Sequence, residues 1–222
     1  MKLLLTYITL MMISCTAVSQ RIKKKSTMNP NFEKFDIKDY ENKVDQQVPG
    51  GQKLNHFTLK DGTDIDRSAS PTEYTEECIL PKPSFLKLNK EFYRSGFIKF
   101  KGLSFGDQHM GANGIRVGQW TYFDELGKVT KTVDEDRKFG NFGYNELLAF
   151  LDKEGLIEVK TGKNRENVNA IFESSESGDK TWFVEIITEF HPDDYAKGWT
   201  YTLDGNSGKV LKKAKVYKNY AN

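Results

Sequence analysis

The 222-residue sequence predicts an α+β protein: antiparallel β-hairpins in the middle, one amphipathic helix at about 144–154, and a C-terminal antiparallel β-meander. Three observations carry this expectation. Paired aromatics recur ahead of glycine turns, each followed by an alternating run, which is the pattern of a hairpin. One segment alone spaces its apolar residues as a helix does. Aromatic residues form 13% of the chain, with 10 Tyr and 15 Phe, which favours pleated, half-buried strands.

Residues 1–19 read as a signal peptide outside the fold. Met1-Lys2 supplies a minimal positive start, and Leu3 to Ile13 is apolar except for Thr6 and Thr9. The run is shorter than the ~20 apolar residues of a membrane span and suits an export signal. Met12-Ile13-Ser14-Cys15 resembles a bacterial lipobox, in which the cysteine becomes lipidated and N-terminal, although Met12 stands where that motif usually has Leu. Ala17-Val18-Ser19 before Gln20 resembles an ordinary cleavage site. Cleavage before Cys15 and before Gln20 both stay open. Either implies an exported chain, periplasmic or anchored to the outer membrane as a lipoprotein. Only Cys78 then remains, so an intramolecular disulfide is excluded. Between Glu77 and Ile79, Cys78 reads as a small buried residue rather than a nucleophile.

Residues 20–55 are expected to form a basic and polar tether, with 29–53 either draped over the fold or partly disordered. It begins with Arg21-Ile22-Lys23-Lys24-Lys25, and its Phe32, Phe35, Ile37 and Tyr40 recur without a sustained period. Residues 56–143 form the predicted hairpin region. His56 to Leu59 alternates weakly before the turn Lys60-Asp61-Gly62-Thr63. Phe92-Tyr93 precedes Gly96 and the run Phe97/Lys99/Lys101, and Tyr122-Phe123 precedes Gly127 and Val129/Lys131/Val133. The stretch from Phe105 to Gly118 reads as a longer loop.

Gly118, Trp120, Tyr122, Phe123, Asp124, Gly127 and Lys128 resemble the repeat of the MORN-variant family, well over 116–134 and partly over 91–105. The resemblance implies stacked antiparallel hairpins. Some members of that family are described as antitoxin- or immunity-like.

The final region, 144–222, opens with the helix. Tyr144, Leu147, Leu148 and Leu151 share one face, Gly143 or Asn145 can cap the start, and Gly155 stops it. That face is expected to pack on a sheet. Leu156-Ile157-Glu158-Val159 is expected to leave as a strand, followed by strands at Val168–Glu173, Thr181–Ile187, Trp199–Asp204 and from Lys209 toward Tyr217. Tyr201 to Leu211 is similar to the closing hairpin of PepSY-like domains, a resemblance spanning about 165–215 and implying a non-catalytic binding or inhibitory module of the envelope.

No catalytic, metal or cofactor constellation emerges. His56, His109 and His191 are the only histidines, and no two sit at ligand spacing on one element. Asp193-Asp194 near Glu189 lacks the grammar of a calcium loop, and Asp204-Gly205-Asn206-Ser207-Gly208 is explained by a turn. There is no Gly-x-Ser-x-Gly and no phosphate-binding glycine loop. With 32 basic and 31 acidic residues after residues 1–14 are removed, the chain has no global attraction to nucleic acid. The expectation is a non-catalytic protein-binding module, an immunity- or antitoxin-like protein that occludes a toxin. Loop residues His109 to Arg116, or the acidic 189–194 loop with Asp193 and Asp194, would enter the partner. The alternative is a structural or carbohydrate-binding lipoprotein using exposed aromatics, Trp199 foremost.

Overall fold

In the computed structural model the described residues are 33–43, 53–105, 114–192 and 194–220. Cys15 and the signal-like segment, the basic stretch after it, His109 and Asp193 lie outside them.

A seven-stranded antiparallel meander runs β1 (Lys53–Thr58), β2 (Asp64–Ala69), β3 (Glu73–Ile79), β4 (Leu86–Tyr93), β5 (Ile98–Phe105), β6 (Ile115–Phe123) and β7 (Val129–Asp134), in spatial order as in sequence. Three of its hairpins use one turn. The Tyr93 N–H donates to the Phe97 carbonyl, and the Gly96 N–H to the Tyr93 carbonyl. Asp124 to Lys128 repeats both bonds with Gly127, and Leu59 to Thr63 repeats them with Gly62. These glycines have φ of 83°, 78° and 85°, which a Cβ would strain. The Phe92-Tyr93 and Tyr122-Phe123 motifs therefore mark equivalent hairpins. The segment expected to be a long loop before Gly118 instead joins the sheet at Ile115.

A second antiparallel sheet contains β8 (Val168–Ser174), β9 (Lys180–His191), β10 (Tyr195–Asp204) and β11 (Val210–Asn219), in the order β11-β10-β9-β8. Helix α2, Tyr144–Lys153, buries Leu147, Leu148 and Leu151 against Trp182, Val184, Ile186, Tyr201 and Leu203 of this sheet. Phe85, Phe105 and Val117 of the meander enter the same core, so the two sheets share it. Trp182 is completely buried, stacks on Phe139 at 5.3 Å, and donates its indole N–H to the Phe142 carbonyl at 2.9 Å. The Arg165 guanidinium adds a polar tie, donating to the carbonyls of Leu80 and Ser84 at 2.6 and 2.7 Å.

The helix starts with the Gly143 N–H donating to the Glu146 carboxylate and stops at Gly155, φ 72°. Its end explains one correction. Leu156 does not begin a strand, because its N–H closes back on the Leu151 carbonyl, while Val159 N–H is taken by the Asp152 carboxylate. Glu158 keeps a single bridge to Lys163.

Within the expected tether, residues 33–43 take the draped alternative and add a helix that the sequence did not announce. Ile37–Lys43 is a helix, α1, started by the Asp36 carboxylate accepting the Asp39 N–H at 2.9 Å. Phe35 and Tyr40 drop into a cluster with Tyr74, Phe92, Ile98 and Phe123 on the meander, Phe35 stacking on Tyr74 at 4.5 Å.

Between this cluster and the shared core, a polar row crosses the covered face of the meander. Asn55, Arg67, Glu76, Lys90 and Lys101 are successive cross-strand partners from β1 to β5. Glu76 binds Arg67 and Lys90 at 2.8 and 2.9 Å. Glu33, just ahead of α1, binds Lys90 and Lys101 at 2.6 and 2.7 Å, and Asp39 of α1 reaches Arg67 at 3.1 Å. Three cations thus meet three carboxylates. Asn55 ends the row with its Oδ1 buried and unbonded. Burial pushes the Glu76 carboxyl up, but the charge and hydrogen bonds of Lys90 and Arg67 outweigh it and hold it below the ordinary range. Glu33 behaves likewise between Lys101 and Lys90. Burial opposes the charge on Lys90, yet Glu76 and Glu33 raise its pKa.

Because both carboxyls are depressed in the folded state, their stabilisation is complete above the unfolded value of about 4.3 and is lost as pH falls through the folded values. Denaturant unfolding should therefore be flat from neutral pH down to about 5 and fall steeply below it. Glu76→Gln should cost about 2 kcal/mol at pH 7, since it removes a charged hydrogen-bond partner from both Arg67 and Lys90 and leaves each with one carboxylate, Asp39 and Glu33, and should flatten the acid slope. On the opposite face Trp120 lies on Gly102, where a Cβ would sit 2.2 Å from the indole. Gly102→Ala should lose at least about 1 kcal/mol in the same assay.

Candidate binding surface

β9, β10 and β11 run past the end of the shared core, and their far halves display an aromatic and basic face. Alternation places Tyr201, Trp199, Lys197 and Tyr195 on one side of β10, opposite Lys213, Lys215, Tyr217 and Asn219 of β11. Tyr201 is buried, Trp199 and Tyr195 are half-buried, and Tyr217 is 60% exposed. Lys213 Nζ sits 4.7 Å from the Trp199 ring and 4.9 Å from that of Tyr201. Lys197 Nζ lies 4.1 Å from the Tyr195 ring, which stacks on Tyr217 at 5.7 Å. A lysine thus lies over the rings of Tyr195, Trp199 and Tyr201, an arrangement that the ring quadrupole favours.

Carboxylates bracket the patch. Glu154, just after α2, accepts from Lys213 at 3.0 Å and from the Tyr201 hydroxyl at 3.3 Å. Glu189 accepts from the Tyr195 hydroxyl and from His191, and these bonds hold its carboxyl below the usual range. Lys218 binds Glu185 at 2.5 Å. Glu189 and His191 belong to the twelve-residue strand β9 and not to a loop; the turn to β10 includes Asp194, whose carbonyl accepts the Tyr220 N–H at 2.6 Å.

Arg116 is on a strand as well. It lies on β6, with its guanidinium 4.1 Å from the Trp120 ring and donating to the Tyr122 hydroxyl at 2.8 Å. Trp199, Asp194 and Arg116 therefore do not form one site: Trp199 is in the aromatic patch, Asp194 at its tip, and Arg116 on the meander. The lysines of β11 that complete the patch carried a visible signal, a Lys-rich alternating strand, which sequence reasoning left as strand only.

The remaining reactive side chains are committed internally. His56 pairs with Asp66 at 2.7 Å. Asp204 Oδ1 accepts from the N–H groups of Asn206 and Ser207 and from the Ser207 hydroxyl, which accounts for that turn without a cation. The Cys78 thiol is pushed up to about 12 by burial. Among the described residues no three His, Cys, Asp or Glu side chains are placed to hold a metal ion, and no helix is long and apolar enough to cross a membrane. A shallow hollow of ≈130 Å³ opens on the other side of the second sheet, lined by Ile171, Phe183, Glu185 and Thr200 among others.

No family model, curated protein or solved structure matches the chain.

Two measurements check this geometry. Trp182→Ala should destabilise by about 3–5 kcal/mol in urea, and Trp199→Ala by clearly less, because only Trp182 is completely buried. At pH 8 a thiol reagent should modify Cys78 only as fast as the protein opens, since the thiol is buried and protonated there.

Proposed function

We propose that the chain is a non-catalytic, exported binding module of the bacterial envelope whose ligand is another protein, in the manner of an immunity protein that occludes a toxin. The observation that carries the reading is the patch of Tyr195, Trp199 and Tyr217 interleaved with Lys197, Lys213 and Lys215. Tyr and Trp are enriched among the side chains that dominate protein interfaces, because they bury large areas at little conformational cost, and the lysines beside them give the patch a charge a partner can match. The export signal, the lipobox-like Cys15 and the resemblance to MORN-variant and PepSY-like modules support the same reading. The meander serves as the scaffold that presents the second sheet.

Carbohydrate is the second reading, favoured by one feature: the stacked Tyr195–Tyr217 pair, whose half-open rings could take a sugar face.

Affinity capture from envelope extracts with the tagged chain separates the two. One stoichiometric protein partner is expected, with retention lost in Trp199→Ala/Tyr217→Ala while unfolding stability changes little. Recovery of no protein, together with glycan binding that the same variant abolishes, would replace the first reading by the second.

A further inference from the structure

The second sheet ends in an open edge. Among the described residues β11 pairs with β10 and has no strand on its other side, so the outer edge of residues 210–218 offers backbone groups that no strand takes up. Exposed edges of this kind bind extended peptides by adding a strand, the main chain supplying affinity and alternate side chains supplying selectivity.

The chemistry of β11 selects what can add. It contains Lys212, Lys213, Lys215 and Lys218 and no acidic residue. Lys213 and Lys215 lie on the aromatic side, while Lys212 and Lys218 lie on the other, because they partner alternate residues of β10. Glu154 and Glu185 answer Lys213 and Lys218. No carboxylate among the described residues lies within ion-pair distance of Lys212 or Lys215.

A second copy is a poor occupant. In the two antiparallel registers of β11 on itself that pair the most residues, centring on Ala214 sets Lys213 against Lys215, and centring on Lys215 sets Lys212 against Lys218. Like charges directly opposite are destabilising. A strand with carboxylates on both faces meets a lysine on each instead.

We propose that β11 is a docking edge for an acidic, extended segment of the partner protein, which adds to the second sheet as a fifth strand. This deepens the protein-binding reading above and rests on it. Val210, Leu211 and Tyr217, all exposed, offer apolar contact at the two ends of the same edge, so the segment expected is acidic in its centre and apolar at its ends.

The probe is a ten-residue peptide with Glu at central positions on both faces and Val elsewhere, added to the full exported chain. Binding is followed by calorimetry and by hydrogen exchange. The expected result is protection of β11 amides, loss of binding on N-methylation of alternate peptide residues, and about tenfold weaker binding in Lys212→Glu/Lys215→Glu. Binding that survives N-methylation would overturn the proposal, because charge alone would then suffice. So would absence of binding, or protection of β11 by self-association in the unliganded chain. Competition separates the two levels of inference: a captured envelope protein that the peptide fails to displace leaves the binding-module reading standing and removes the edge as its site.

Discussion

Three cations on the covered face of a β-sheet, Lys101 buried and Arg67 and Lys90 largely so, set the terms for the rest of this structure. Arg67, Lys90 and Lys101 stand in line across β2, β4 and β5, between an aromatic cluster at one end of the strands and the shared core at the other. Glu76 is the one carboxylate that the row itself provides. The charge balance is completed from outside the sheet by Glu33 and Asp39. Residues 33–43 are therefore part of the sheet's electrostatics, and Phe35 and Tyr40 fix them there by packing. Removing one partner of such a pair costs more than the intact pair contributes, because the remaining charge is left poorly solvated.

The same division of labour separates inside from outside. Charges in the meander are consumed by one another, as in the row or in Lys99 between Glu73 and Glu91 on the other face. In the second sheet the balance is incomplete. Lysines outnumber their carboxylates along β11, and the aromatic rings beside them remain partly open. The sheet that is best anchored, through Trp182 and α2, is the one whose far end is left uncommitted. A rigid base under an exposed, unbalanced tip is what a preorganised binding surface requires.

How much of this was legible in the sequence differed from element to element. Gly96 and Gly127 announced their hairpins because a positive φ at that point of the turn is nearly a glycine monopoly, and the aromatic pairs gave the strand before it. Helix α2 was legible because four apolar residues repeat at one face and Gly155 ends it. α1 was not, since seven residues are too few to show a period, and of the two aromatics that anchor it Tyr40 is the one buried residue within the helix while Phe35 precedes it. The strand expected at Leu156–Val159 failed because local apolar content cannot reveal that a helix terminus uses the same backbone groups. The polar row was invisible for a deeper reason: Arg67, Glu76, Lys90 and Lys101 are far apart in the chain, and only strand register brings them into line. Of the candidate site, Trp199 was legible as a residue of divided character, whereas its lysine neighbours on β11 required the β10–β11 register.

Native-state hydrogen exchange on the intact chain at pH 7 tests the dependence of the meander on residues 33–43 most directly. If Glu33 and α1 are integral to the sheet, the amides of Ile37–Lys43 and of β2 to β5 open together, with the same free energy and the same denaturant slope. Exchange of α1 within the lowest ~1–2 kcal/mol, while β2 to β5 keep their full protection, would contradict the account.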